Sequence, residues 1–194
     1  MTMPERGALI VFTGPSGVGK GTVLDALEAS GAHFFRSVSA TTRAPRPGEV
    51  ERGAYHFMTV PEFERLIAED RLLEHAEYVG QYYGTPAAPV DEALREGTDV
   101  ILEIEVQGAL QVRKKRPDAV LVFLLPPSME ELERRLRKRG TESEDKIRRR
   151  LEKASAECAM SDAFDYKIIS DVPELSAARL AEIIRAARRS QPTN

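Results

Sequence analysis

At 194 residues, 42% of them apolar, the chain is long enough for one domain with a full core. A formal net charge of −3 gives no global pull toward nucleic acid or membrane, and no apolar run approaches the roughly 20 residues that span a bilayer. One cysteine, Cys158, excludes an intrachain disulfide, and with His33, His56 and His75 it supplies no zinc cluster. The opening MTMPERG carries a lone arginine before a short apolar stretch, which is no secretory signal, so a cytoplasmic location is expected.

In chain order, the apolar run at residues 8–12 predicts a buried strand of a parallel sheet. GPSGVGKGT follows, comprising Gly14, Pro15, Ser16, Gly17, Val18, Gly19, Lys20, Gly21 and Thr22. A strand, a glycine-rich loop, a lysine and then a helix form the context of a phosphate-binding loop. Backbone N–H groups and the helix N-terminus would meet the anion, with Lys20 reaching the outer phosphates. The usual hydroxyl residue after the lysine is Gly21, which leaves Thr22 next in line as a metal contact.

The first helix is expected to run to about residue 30, with Gly31 as its stop. Residues 34–39 read as extended, and the proline- and glycine-rich stretch after them as a loop holding Arg43 and Arg46. A short strand at 54–58, a helix at 61–69 and a strand–turn–strand over 72–84 interrupt the alternation and suggest a small inserted subdomain. A helix over 90–96, a strand over 99–106, a helix over 107–116 and a strand over 119–125 resume it. Ser128 and Glu131 have capping-box spacing for the next helix. A polar stretch, a further helix to about 160, a strand at 166–169 and a last helix from about 173 complete the chain. Strands separated by helices imply a parallel sheet with right-handed crossovers, hence an α/β fold.

Two features in that order carry chemistry. Glu103 and Glu105, two apart in a predicted strand, would share one face near its C-terminal end, where ligands of open α/β sheets sit. Such carboxylates suit hydrated Mg²⁺, a substrate hydroxyl or a base. Arginine and lysine crowd residues 134–150, and a helical face count separates them. Arg135 and Arg139 border the stripe of Met129, Leu132 and Leu136, and Arg150 flanks that of Ile147, Leu151, Ala154 and Cys158. These three guanidinium groups are placed to converge between packed elements, and Cys158 to pack in the core.

Together these segments resemble the guanylate kinase family over nearly the whole chain. The selective ones are SVSATTRAPRPGEVERGAYHF, LLEHAEYVGQYYGT and ILEIEVQGA, beside the loop itself. The resemblance implies a P-loop NTPase three-layer core with a parallel sheet (about 1–36, 87–134 and 160–194). It adds an inserted mixed β/α GMP-binding subdomain (about 37–86) and a helical lid (about 135–159). It further implies ATP + GMP → ADP + GDP with Mg²⁺, dGMP also being accepted, and neither nucleic acid nor membrane as partner.

Residue by residue, Arg43, Arg46, Tyr55 and Tyr83 match the family's clamp on the GMP phosphate. Ser39, Glu74 and Thr85 match the guanine contacts, with Glu103 beside them. Lys20, Arg43, Arg135, Arg139 and Arg150 match the phosphoryl-transfer set, and residues 14–22 the ATP site. Thr22 and Glu105 are the metal candidates, directly or through water. The chain departs from the family at Glu103, where aspartate is frequent, and at Ser170-Asp171, where Asn-Asp is common. Two other readings are a phosphopeptide-binding scaffold and a different small-substrate P-loop kinase. The intact loop argues against the first, and Ser39, Glu74 and Thr85 argue against the second.

Overall fold

The computed structural model describes residues 6–50, 53–138 and 143–190. Its centre is a five-stranded sheet in the order β2-β7-β1-β8-β9, every neighbouring pair parallel. The strands are β1 (Leu9–Thr13), β2 (Phe35–Arg36), β7 (Val100–Glu103), β8 (Val120–Leu125) and β9 (Tyr166–Ile169). Alternation sorts the apolar side chains of the central strands onto two faces. Ile10, Phe12, Ile101, Val122 and Leu124 pack with α1 (Lys20–Ala29) and α7 (Pro173–Arg189). Leu9, Val11, Val100, Leu102, Leu121 and Phe123 pack with α3 (Ala87–Arg95) and α4 (Val106–Lys115). This gives three layers, with β1 at the middle delivering the loop that follows it.

The chain leaves this sheet between Arg36 and Ala40 and enters a second one. Of the segment expected to be extended, 34–39, only Phe35–Arg36 forms a strand; Ser39 lies in the crossing, and the second sheet begins at Ala40, at the start of the expected loop. The second sheet has the order β4-β3-β6-β5, built from β3 (Ala40–Thr41), β4 (His56–Phe57), β5 (Leu72–Tyr78) and β6 (Gln81–Pro86). Helix α2 (Val60–Ala68) covers it, with Phe63 fully buried and stacked on Tyr82 at 5.3 Å between ring centroids. The hairpin between β5 and β6 turns through Val79 and Gly80, both at positive φ, the geometry of a tight two-residue turn. Val79 is costly there, and its exposed side chain buries nothing in return.

Two sequence expectations change. The strand predicted to reach residue 106 ends at Glu103, because β1 turns into its loop at Thr13 and leaves β7 without a partner. The Thr13 hydroxyl caps the break by donating to the Ile104 carbonyl at 2.8 Å. Glu105 is consequently the N-cap residue of α4, and it does not share a strand face with Glu103. The capping box at Ser128 is half formed. Ser128 Oγ accepts from Glu131 N at 3.1 Å, but the Glu131 carboxylate turns to Arg134 and Arg135 instead. Glu62 does reach back in this way at α2, accepting from both the N–H and the hydroxyl of Thr59 at 2.7 Å.

Helices α5 (Met129–Lys138) and α6 (Glu144–Ala159) pack through Leu132, Leu136 and Ala154, the face that the count selects. Cys158 is half-buried against the α3/α4 side of the core, and burial pushes its thiol pKa up. No helix among the described residues is long and apolar enough to cross a membrane.

The last helix is fastened to the start of the sheet through Asp99. Its buried carboxylate accepts from Ala8 N at 2.9 Å and from Arg188 Nε at 2.7 and 2.9 Å. Asp99→Ala would strand a buried N–H and free the end of α7. The expected cost is about 2–4 kcal/mol in urea denaturation, with the GMP KM unchanged.

Candidate active site

A cleft of about 720 Å³ opens between the C-terminal ends of β1 and β7 and the inner face of the second sheet. Lys20, Ser39, Tyr55, Glu74, Tyr83, Glu103 and Glu105 all line it, joined by Arg36, Gln107 and Gly108. Phosphate chemistry at one end and a buried carboxylate at the other thus share one cavity.

The phosphate end rests on the loop geometry. Gly14, Gly17 and Gly19 all lie at positive φ, and at Gly14 a side chain would also strike the Leu124 carbonyl of β8. The loop carbonyls have protein partners. Lys20 Nζ donates to Gly14 O at 2.6 Å, and Ser170 Oγ donates to Val18 O at 2.7 Å. Arg135 Nη1 also donates to Val18 O, at 3.1 Å. Burial lowers the Lys20 pKa, with Glu103, Glu157 and Glu105 opposing that shift. A cation under this desolvation gains most when a phosphate arrives beside it.

Arg135 does not line the cleft. Its guanidinium spans Val18 O, both oxygens of Ser170 (3.0 and 2.9 Å) and Glu131 (2.8 Å), bracing the loop from behind. Ser170, a departure from the family pattern, is therefore a buried part of that brace. Arg150 of α6 also reaches the loop, donating to Ser16 Oγ at 2.6 Å. Arg139 lies outside the described residues. Thr22 is exposed on α1 and does not line the cleft.

On the second sheet, Arg43 is gripped by Glu49 through both guanidinium nitrogens at 3.0–3.1 Å and stands over the Tyr55 ring at 5.4 Å. Tyr55 and Tyr83 meet edge to face, so these three side chains form one group beside the cleft. Arg46 is exposed, and its backbone N–H donates to the same Glu49 at 2.7 Å. Glu49 is a site residue that spacing does not reveal; its only signal is its place in PRPGE.

Glu74 is buried, and its Oε1 accepts from the Thr85 hydroxyl at 2.7 Å. Burial raises its pKa, the Thr85 hydrogen bond opposes this, and the Glu105 charge adds to it. Glu103 accepts from Arg36 Nη2 at 2.6 Å, and the exposed Glu105 accepts from Lys153 Nζ of α6 at 2.9 Å. Arg36 also holds Asp25, at 3.1 Å. Among the described residues no three His, Cys, Asp or Glu side chains are grouped to hold a metal ion. The carboxylates that line the cleft, Glu74, Glu103 and Glu105, make no ready cage for Mg²⁺, so the ion would fit here only as a complex with a nucleotide's phosphates.

The family model for guanylate kinase matches residues 6–187. The chain belongs to the guanylate kinase family. It is 56% identical to the guanylate kinase of Streptococcus thermophilus strain CNRZ 1066 over 185 residues, covering 95% of this chain and 88% of that one. It is 55% identical to the Lactococcus lactis enzyme over 184 residues, covering 95% and 90%. The crystal structure of the Anaplasma phagocytophilum guanylate kinase superposes with a TM-score of 0.73 at 33% identity, covering 97% of this chain and 90% of that one. The α/β fold of this guanylate kinase is thus that of its family.

Because Arg135 uses its planar fork on several acceptors at once, lysine cannot replace it. Arg135→Lys is expected to loosen the loop and raise the ATP KM about fivefold or more in steady-state kinetics, with a smaller change for GMP.

Proposed function

We propose how the residues of this guanylate kinase divide the work of transferring the γ-phosphate of ATP to GMP, the reaction of its family. The observation that carries the reading is the cleft itself, with Lys20 at the loop end and a buried, hydroxyl-held Glu74 at the other. The residue 14–22 loop and Lys20 bind the ATP phosphates. Arg43, Arg46, Tyr55 and Tyr83 take the GMP phosphate, Arg43 exchanging Glu49 for the dianion. Ser39, Glu74 and Thr85 read the base, with Glu103 beside them. The ionised Glu74 accepts from guanine N1–H and the 2-amino group. Adenine lacks both donors and would leave a buried carboxylate unpaired, worth about 10⁴-fold in discrimination. The base and phosphate are the same in dGMP, so the same residues would take it as a substrate too.

The GMP phosphate oxygen is already anionic, so the protein need supply no general base. It supplies in-line placement, cations against the mutual repulsion of two polyanions, and exclusion of water. Mg²⁺ bound with ATP would neutralise charge on the outer phosphate oxygens, with Thr22 and Glu105 as its protein contacts through water. Helix α6 and the end of α5 act as the lid that brings Arg150 to the transferring group, and Arg139 is assigned to the same task. Arg135 contributes by fixing the loop. The two nucleotides are cytoplasmic metabolites, consistent with a cytoplasmic enzyme.

A coupled assay offering GMP, dGMP, AMP, UMP and ribose bisphosphate with ATP tests this reading. Turnover is expected with GMP and dGMP; equal use of AMP would refute the base assignment. Glu74→Ala should cut kcat/KM for GMP about 100-fold or more and leave the ATP KM within about twofold.

The raised pKa of Glu74 adds a pH signature. GMP needs the carboxylate ionised, so its affinity falls as pH drops through that raised value. The ratio of GMP to IMP affinity, which cancels the phosphate's own titration, should decline toward acid and lose this dependence in Glu74→Gln. In the ligand-free protein the sign is opposite. A raised carboxyl pKa means the folded state holds the proton longer, so the Glu74 contribution to stability falls as pH rises through it. Calorimetric titrations from pH 8 downward measure the first effect, and a flat ratio would contradict it.

A further inference from the structure

Glu74 belongs to the second sheet, but what fixes its carboxylate lies on the core helix α4. A β-carbon built on Gly108 would stand 2.7 Å from Glu74 Oε2, 3.1 Å from its Cδ and 3.3 Å from its Cγ. Gly108 is buried in the first turns of α4, and its own helical backbone does not require glycine. The missing side chain is therefore explained by the close approach of Glu74.

One turn on, Gln111 clasps the next residue of β5. Its Oε1 accepts from His75 N at 3.1 Å, and its Nε2 donates to His75 O at 2.9 Å. A further turn on, Lys115 Nζ donates to Leu72 O at 2.8 Å and pairs with Asp70. Positions 108, 111 and 115 lie on one face of a helix. They meet Glu74, His75 and Leu72 of β5, with Asp70 just before the strand, so a single helical face sets where the strand lies against the core.

We propose that this α4 face is the seat of base recognition, with Gly108 and Gln111 as positioning residues for guanine specificity. The proposal rests on Glu74 as the reader of the base. Gly108 sets the depth of the Glu74 carboxylate in the cleft, and Gln111 holds the strand that carries it in register. Neither residue need touch the nucleotide for the selectivity to depend on it. A purely structural role would lower stability and act equally on all nucleotides. A seating role acts on the discrimination between GMP and IMP, which differ in the 2-amino group alone.

The test is kcat/KM for GMP and for IMP in the full chain, with thermal melting alongside. It uses Gly108→Ala, Glu74→Ala and the double variant. Gly108→Ala is expected to shrink the GMP/IMP preference about tenfold, with the ATP KM within about twofold. In the Glu74→Ala background the same change should have less than about a twofold effect, because the group it displaces is gone. If Glu74→Ala collapses the preference while Gly108→Ala leaves it intact, the seat is wrong and the Glu74 assignment stands. If Glu74→Ala itself leaves the preference intact, the base-reading assignment fails, and the seat with it. Should Gly108→Ala not fold, Gln111→Leu probes the same seat through the His75 backbone. A preserved GMP/IMP preference in a folded Gln111→Leu protein would overturn the proposal.

Discussion

A loop that offers its amides to an anion must turn its carbonyls away, and those carbonyls then need partners inside the protein. Much of the molecule is arranged around that requirement. Val18 O is met by Ser170 from the end of β9 and by Arg135 from α5, and Gly14 O by Lys20. Leaving such an acceptor buried and unmet costs about 1–3 kcal/mol, which is enough to reshape a loop of a few residues. Each partner comes from a different element, so the shape of the loop reports on the packing of the sheet, α1 and α5 together. Ser170 shows the constraint most plainly. Its hydroxyl spends itself on the loop carbonyl and, with its own backbone oxygen, anchors Arg135.

The cations nearer the cleft are held differently. Arg43 is paired with Glu49, Arg36 with Glu103, and Lys153 with Glu105. In the last pair the side chains are 50% and 73% exposed, and ion pairs of that kind contribute about 0–1 kcal/mol. Phosphate, a dianion with several acceptor oxygens, outcompetes such a partner at little cost. The acidic partners keep the guanidinium groups extended, which lowers the ordering entropy that substrate binding must supply. Lys20 is the exception, since burial rather than a carboxylate dominates its state.

The sheet order and the two core faces follow from branched apolar runs and their alternation, so they were legible in the sequence. The phosphate loop was legible too, because spacing and flanking elements coincide over a few residues. Glu105 was misread, since a period-two pattern cannot tell where a strand loses its neighbour; β1 decides that, 91 residues away by the Thr13–Ile104 hydrogen bond. Ser128 and Glu131 have the right spacing for a reciprocal cap, but Arg134 and Arg135 lie three and four residues beyond Glu131 and compete for its carboxylate as stronger donors. Arg36 left no signal, because pairing with Glu103, 67 residues away, has no characteristic spacing. Helical face singles out Arg135, but two of its partners are the backbone carbonyls of Val18 and Ser170, which no side-chain pattern encodes.

The two ends of the cleft are therefore built to opposite specifications. At the phosphate end, the exposed Lys153–Glu105 pair on α6 costs little to exchange, and Arg43 answers to one carboxylate, Glu49, which a phosphate would replace on the proposed reading. At the base end, Glu74 is buried, bound by Thr85, and backed by a helix approached so closely that a methyl group at position 108 would displace its carboxylate. The difference follows from what each end must do. Phosphate charge is large, and cations can find it from many directions, so mobility there costs little accuracy. Discrimination between purines depends on hydrogen bonds worth about 1.5–3 kcal/mol each to a charged group, and they survive only if the carboxylate cannot move to suit another base. On the proposed assignment, a rigid seat for the base beside exchangeable clamps for the phosphates would let one cleft take both substrates without losing selectivity.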